Sequence, residues 1–236
     1  YEERYEEGLI REYLFDGSLK DYSGNDDHGT AVGQLAYEAG RMKGKQAVSF
    51  NGSSGVRIEP EIINEKYFTM ETWVYLEPGN NAGRFFSNSR NASYPNQWDW
   101  GYNTAAANHA PYFIISSSSC MNAAAYENES VRMSKGQYPA GEWTHLVLVR
   151  DNQQFYIYVN GELMDSAAAP NELLQTTNTA PALIGAQTPS NGTGAMLGMQ
   201  GLMDSFRIYN LAKTAEEIAA DYQTEAAQSE NSGSQA

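Results

Sequence analysis

Short apolar runs separated by turn-forming residues make up most of this chain. The runs are rich in Tyr, Phe, Val, Ile and Thr, and Gly, Asn, Ser or Asp interrupts them about every ten residues. This spacing is typical of a β-sandwich, in which short strands alternate with tight turns. The pattern predicts strands over residues 9–15, 47–50, 56–58, 69–76, 84–87, 98–102, 112–116, 143–150, 154–159, 162–164, 182–185 and 201–209.

The clearest hairpin is centred on Asn160 and Gly161. These residues separate two apolar runs, and Asn-Gly supplies the two positive φ angles of a type I′ turn. A second clear signal is the alternation within residues 69–76, which places Met70 and Val74 on the same side of the strand. This alternation predicts a strand with one strongly buried face.

A single helix is predicted near the C terminus. Thr214 and Glu217 have the spacing of a capping box, in which the side chain of each residue bonds the backbone N–H of the other. Ile218 and Tyr222 follow at helical spacing. Residues 224–236 carry no apolar anchor and are predicted to form a flexible linker.

Length and charge narrow the possible functions. The 236 residues fit one all-β domain, predicted over residues 8–223, which follows an acidic extension at residues 1–7. The sequence has 15 Lys and Arg residues and 29 Asp and Glu residues, so its formal net charge is −14. Binding to nucleic acid or to a lipid surface needs a dense basic face, so neither partner is expected. Cys120 is the single cysteine, and no apolar run is long enough to cross a membrane. A monomeric module is expected.

Six separated motifs carry a family resemblance that covers roughly residues 8–222. They lie, in order, at residues 13–25, 47–52, 68–74, 142–149, 158–161 and 201–212. Together they resemble the laminin-G-like, concanavalin A-like jelly-roll superfamily. The resemblance implies an all-β fold, a two-sheet antiparallel β-sandwich with one short C-terminal helix. It does not select a function, because lectins, carbohydrate-binding modules, glucanases and protein-binding domains share this scaffold.

A calcium site is predicted where the loop after the first strand meets the last strand. Asp16, Asp21 and Asn25 lie close together in a glycine-containing loop, and Ca²⁺ prefers hard oxygen ligands of this kind. The family resemblance implies a structural ion to which Asp204 also contributes. The alternative is that these side chains cap turns and accept hydrogen bonds from backbone N–H groups.

A carbohydrate site is predicted in residues 84–112, the part of the chain that is least like the family. Sugars have apolar faces and many hydroxyl groups, so their sites combine aromatic rings with planar hydrogen-bonding groups. The alternative for Trp98, Trp100 and Tyr102, which share one side of a strand, is burial in the core. The candidates are Arg90, Tyr94, Asn96, Trp98, Asp99, Trp100 and Tyr102.

No catalytic arrangement is recognisable in the sequence. It has no nucleophile elbow, phosphate-binding loop or His-Glu-x-x-His motif, and it lacks the Glu-x-Asp-x-x-Glu run of the glucanases in the superfamily. His145 lies in the middle of a predicted strand and is expected to be a structural residue rather than a base.

These observations predict a non-catalytic carbohydrate-binding module of a secreted, bacterial, multi-modular glycan-degrading protein. Its expected partners are a glycan and a catalytic module in the same polypeptide. Two alternatives stay open. One is a structural domain that packs against a catalytic glycosidase module, and the other is a protein-binding, laminin-G-like adhesion domain.

Overall fold

The computed structural model describes residues 8–59, 66–79, 82–88, 97–103, 110–116, 131–168, 182–189 and 193–233. In these ranges the chain forms two antiparallel β-sheets, and one helix packs on the outer side of the larger sheet. The predicted all-β class and two-sheet sandwich are confirmed, and each predicted strand overlaps an observed one. Residues 1–7, predicted to be an acidic extension, lie outside the described residues.

The strands and the helix are numbered in chain order. They are β1 (Leu9–Tyr13), β2 (Thr30–Val32), β3 (Ala36–Ala39), β4 (Gln46–Asn51), β5 (Gly55–Ile58), β6 (Tyr67–Leu76), β7 (Ala82–Ser87), β8 (Gln97–Asn103), β9 (Ala110–Ser116), β10 (Val131–Met133), β11 (Trp143–Asp151), β12 (Gln154–Val159), β13 (Glu162–Ala168), β14 (Ala182–Ile184), β15 (Gln200–Tyr209) and α1 (Ala215–Gly233).

Within the described ranges, sheet A has eight strands and sheet B has seven. The order in sheet A is β13-β12-β11-β6-β15-β4-β3, and β1 pairs with the second half of β15. The order in sheet B is β10-β9-β8-β7-β14-β5-β2. The first strand, β1, therefore lies beside the last strand, β15, near the centre of sheet A, and Tyr13 lies opposite Phe206.

The main core lies between the two sheets. Sheet A contributes Met70 and Val74, which are fully buried, as the alternation of β6 predicts. Sheet B contributes Phe85, Trp100 and Tyr102, whose rings pack together with centroids 5.4 to 5.6 Å from that of Phe85. Offset and edge-to-face contacts of this kind add to the gain from burying apolar area.

The predicted hairpin turn between β12 and β13 is confirmed. Asn160 and Gly161 have φ angles of 50° and 80°, and Val159 pairs with Glu162 across the turn. Asn160 also accepts a hydrogen bond from the backbone N–H of His145 at 2.9 Å, which ties the turn to the neighbouring strand.

Helix α1 starts at the predicted capping box but is longer than predicted. Thr214 N donates to Glu217 Oε2 at 2.7 Å, and Glu217 N donates to Thr214 Oγ1 at 3.3 Å. Ile218 is buried against the outer face of sheet A, where it packs in one cluster with Val147 and Val149 of β11. The helix then continues to Gly233. The structure therefore contradicts the predictions that the helix is short and that a flexible linker begins at residue 224.

Three short strands, β2, β3 and β10, have no counterpart in the sequence prediction. Each has three or four residues and lies at or next to a sheet edge. So short a strand shows no measurable alternation, and its extended backbone depends on pairing with the neighbouring strand.

Candidate functional site

Buried charges are concentrated on the outer face of sheet A, beneath α1. Glu71 and His145 are at most 1% exposed, and His145 Nε2 lies 2.7 Å from Glu71 Oε1. Lys213 Nζ donates to Glu71 Oε2 at 3.0 Å and to Asp221 Oδ2 at 2.8 Å. Burial opposes ionisation, but the bond to His145 and the charges of His145, Arg207 and Lys213 hold the pKa of Glu71 well below its usual range. The cluster anchors α1, and His145 is a buried structural residue as predicted.

A pocket of about 450 Å³ lies beside this cluster. It is bounded by the second half of α1, the loop after β3, and residues of β1 and β15. Leu14, Tyr22 and Met42 supply its apolar surface, and most of the remaining lining is charged. This volume is in the range of small-molecule sites. The charged lining residues are Glu12, Asp16, Arg41, Lys45, Asp204, Arg207 and Glu225.

Three side chains of sheet A and its loops converge on the carboxylate of Glu225, which α1 supplies. Arg207 Nη1 and Trp73 Nε1 both donate to it. Arg41 Nη2 lies 3.7 Å from Glu225 Oε2, and the Arg41 guanidinium lies 4.2 Å from the centre of the Trp73 ring. Arg207 also donates to Glu12 Oε1 at 3.1 Å. These contacts explain why α1 continues past Tyr222 without an apolar anchor.

Arg41 is buried but keeps one unused donor. Its side chain is only 5% exposed, and Nε has no hydrogen-bond partner. Burial lowers the pKa of Arg41, although Asp204 and Glu225 oppose the change. Burial also raises the pKa of Asp204, which accepts a hydrogen bond from Arg41 N at 2.8 Å. The pocket wall therefore contains a buried guanidinium N–H that has no partner among the described residues.

The structure contradicts one calcium site built from Asp16, Asp21, Asn25 and Asp204. Asp16 and Asp204 line the pocket, where Asp16 is paired with Lys45 Nζ at 3.0 Å. Asp21 and Asn25 lie in the turn after β1 and do not line it. Across the described ranges, no group of three or more His, Cys, Asp or Glu side chains could hold a metal ion. The four predicted residues therefore do not fit a single calcium ion.

The side chain of Asp21 organises its own turn. Its two carboxylate oxygens accept hydrogen bonds from the backbone N–H groups of Glu12, Ser23 and Asp27 and from Ser23 Oγ, at 2.9 to 3.2 Å. Asn25 Nδ2 donates to Ile10 O at 2.9 Å. This is the turn-capping alternative to a calcium site, and it occupies both carboxylate oxygens of Asp21.

The predicted carbohydrate residues of β8 are mostly buried. Trp100 and Tyr102 are 1% and 0% exposed, so the prediction that they stack on a sugar is wrong and the core alternative is correct. Asp99 faces away from the core but is also buried. It accepts a hydrogen bond from Ser87 Oγ at 2.6 Å and lies 3.5 Å from Arg84 Nε, so its role is to pair with its neighbours.

The other predicted carbohydrate residues are not placed by the structure. Arg90, Tyr94 and Asn96 lie outside the described residues. Trp98 belongs to β8, but its side chain is not among those described. A carbohydrate site at these four residues stays a prediction.

Three pocket residues, Arg41, Arg207 and Glu225, were missed by the sequence analysis. Arg207 lies in one of the six family motifs, where its alternation with Phe206 and Ile208 indicates an outward side chain. No comparable signal marks Arg41 or Glu225, because their pairing depends on a helix packing across a sheet.

The fold and the chain's sequence identify its family. The family model described as the concanavalin A-like lectin/glucanases superfamily matches residues 50–219, most of the sandwich and the start of α1. The chain belongs to that superfamily. No curated protein sequence matches it. Among the described helices of this superfamily member, none has the length and apolar character needed to cross a membrane.

Solved structures with the same fold include binding domains of larger proteins. One is domain 4 of AbnA, a GH43 extracellular arabinanase from Geobacillus stearothermophilus, in complex with arabinotriose. It has 22% identity and a TM-score of 0.69 over 90% of this chain and 97% of that one. Another is the binding domain of Paraclostridial Mosquitocidal Protein 1, with 14% identity and a TM-score of 0.69 over 92% of this chain.

A third structure comes from a study of botulinum neurotoxin type C, whose cell entry depends on interaction with two ganglioside molecules. It has 14% identity and a TM-score of 0.63 over 92% of this chain. The chain spans about half the length of both toxin structures, 52% and 51% respectively. At these identities the likeness shows the shared fold, and function must be argued from the site.

Proposed function

We propose that this domain is a non-catalytic carbohydrate-binding module and that the pocket beside α1 is its glycan site. The observation that carries the proposal is a pocket of about 450 Å³ whose lining combines Tyr22 with Arg41, whose buried Nε–H has no partner. A sugar ring has an apolar face and several hydroxyl groups, so it can contact Tyr22 while its hydroxyls bond Arg41 and Gln46.

The charge pairing in the pocket favours binding over hydrolysis. Hydrolysis of a glycosidic bond uses two carboxyl groups, one as acid and one as base or nucleophile. Here Glu12 pairs with Arg207, and Asp16 pairs with Lys45. Glu225 pairs with both arginines. Burial raises the pKa of Asp204, but no second carboxyl group among the described lining residues is left unpaired to complete an acid–base pair with it. Paired carboxylates are suited to positioning hydroxyl groups, and they are poor proton donors.

The relatives support a place in a secreted, multi-modular protein. The arabinanase domain that this chain resembles is the fourth domain of an extracellular enzyme, and its structure contains arabinotriose. By analogy, the present module would keep a neighbouring catalytic module close to a polysaccharide and raise its effective concentration there.

A glycan array followed by isothermal titration calorimetry tests the proposal. The wild-type domain should retain selected glycans, and Tyr22→Ala or Gln46→Ala should weaken that binding at least tenfold. Tyr67→Ala is the matched control, because Tyr67 is 47% exposed and does not line the pocket.

A second pair of substitutions separates the pocket from the site predicted in residues 84–112. Binding that survives Tyr22→Ala but is abolished by Tyr94→Ala combined with Trp98→Ala would place the glycan at the latter site. If the array retains no glycan at all, the carbohydrate-binding proposal fails, and a structural or protein-binding role takes its place.

A further inference from the structure

The groups that hold the Glu225 carboxylate are N–H donors that could hold the carboxylate of a ligand equally well. Arg207 and Trp73 donate N–H groups to it, and Arg41 Nη2 lies 3.7 Å from its Oε2. Both arginines line the pocket, whereas Trp73 becomes reachable from it only where Glu225 gives way. Arginine forks and indole N–H groups are the donors that proteins use to hold carboxylates, because charge-assisted bonds to a planar anion are strong. Arg41 Nε remains unused even with Glu225 in place.

Glu225 can leave this position at small cost to the core. It belongs to the second half of α1, where no described residue after Tyr222 is in the core, although the Glu225 side chain itself is only 12% exposed. None of these side chains belongs to a hydrophobic cluster, whereas Ile218 in the first half does. A rotamer change of one glutamate therefore leaves the apolar packing of α1 intact.

The charges lining the pocket permit an exchange of one carboxylate for another. With Glu225 the lining has four acidic residues, Glu12, Asp16, Asp204 and Glu225, against three basic residues. An acidic ligand beside Glu225 would add a fifth negative group, and like charges at close range repel. If a ligand carboxylate replaces the Glu225 carboxylate, the number of negative groups in the pocket stays the same. Its departure without replacement would leave Arg41 and Arg207 without their shared partner.

We propose that the pocket binds acidic saccharides, such as those containing uronic or sialic acids, and that the ligand carboxylate takes the place of the Glu225 carboxylate on Arg41, Arg207 and Trp73. This inference rests on the proposed glycan-binding function of the same pocket. Glu225 then acts as an internal competitor that admits a carboxylate-bearing sugar and disfavours a neutral one.

An array of paired glycans tests the inference. Oligosaccharides containing galacturonate, glucuronate or sialic acid are placed beside neutral oligosaccharides of the same backbone. Wild type, Glu225→Gln and Glu216→Gln are compared, since Glu216 is exposed on the same helix and does not line the pocket. Glu225→Gln should bind acidic members at least tenfold more tightly than wild type, and neutral members unchanged. Glu216→Gln should match wild type.

A measurement on the wild-type domain does not depend on any variant. Because Trp73 Nε1 donates to Glu225, its indole N–H resonance reports on that carboxylate. An acidic glycan that binds should shift the Trp73 resonance, and its neutral counterpart should not. The inference would be overturned if Glu225→Gln gained the same affinity for acidic and neutral glycans. It would also be overturned if the variant gained affinity for neither and the Trp73 resonance of wild type did not move. Neutral glycan binding that Tyr22→Ala abolishes would still leave the proposed function standing, whereas an array without any binding would remove both.

Discussion

Glu71 Oε1 lies 2.7 Å from His145 Nε2 on the face of sheet A that α1 covers. Lys213, two residues before α1, donates to the other oxygen of the same carboxylate. Three elements distant in sequence, β6, β11 and the approach to α1, are therefore joined at one buried side chain. Breaking such a buried pair by removing one partner is costly, because the remaining charge has no compensation.

Glu71→Gln should destabilise the domain at neutral pH by about 3–5 kcal/mol. The pKa of Glu71 in the folded protein is well below its usual range, so the ionised carboxylate stabilises the fold above its ordinary pKa. That contribution disappears as the pH falls through the lowered pKa. Urea unfolding measured from pH 7 downward should therefore show that the free energies of unfolding of wild type and variant approach each other as the pH falls. Glu142→Gln, at an exposed position, should unfold like wild type throughout. A pH-independent difference would contradict this account.

Trp100→Ala should cost about 3–5 kcal/mol of stability, since a large buried ring leaves a cavity. Trp100 packs edge-to-face on Phe85, and its Nε1 donates to Tyr138 Oη at 3.3 Å. Urea unfolding measures the loss. Tyr67→Ala, which removes an exposed ring, should change stability by no more than about 0.5 kcal/mol. A stable Trp100→Ala domain that has lost only glycan binding would show that the ring contacts ligand instead.

Gly101→Ala should destabilise the domain by about 3 kcal/mol or more. A Cβ at Gly101 would lie 2.0 Å from Gly83 O, a backbone atom of the paired strand that cannot move aside alone. Gly24→Ala is the matched control. Gly24 has φ of +88° but no atom within 4 Å, so only the backbone strain of about 1–2 kcal/mol is expected. Thermal unfolding of both variants distinguishes steric clash from strain, and equal losses would argue against the clash.

Asp204→Asn should raise the melting temperature at pH 7. Burial raises the pKa of Asp204, with partial compensation by Arg41, so ionised Asp204 is less favourable in the folded state than in the unfolded one. The folded state then holds more protons between the ordinary and the raised pKa, and stability falls as the pH rises through that window. Asn removes the penalty and can still accept the bond from Arg41 N. The gain in melting temperature should vanish below the ordinary pKa of aspartic acid. A variant less stable than wild type at pH 7 would show that Arg41 needs the charge.

Asp21→Ala should cost about 3 kcal/mol, because several donors lose a charged acceptor. The loss should be the same in EDTA as in added calcium, since the carboxylate serves backbone N–H groups and the Ser23 hydroxyl. Calorimetric melting in both buffers measures it. Calcium that raises the melting temperature of wild type but not of Asp21→Ala would restore Asp21 as a ligand.

Local patterns were sufficient for most elements of the fold. The turn at Asn160 and Gly161, the cap at Thr214 and the alternation of β6 are each set by a few neighbouring residues, so the sequence could predict them. The short strand β3 could not be predicted, because its conformation depends on pairing with β4.

The sequence by itself determined that apolar and turn residues must build a two-sheet sandwich, because alternation and turn chemistry act over short distances. Only the tertiary structure decided which polar and aromatic residues meet. Alternation placed Trp100 and Tyr102 on one side of β8, but the packing of the two sheets made that side the core. Residues far apart in sequence, such as Arg41 and Glu225, became partners because α1 crosses the outer face of sheet A.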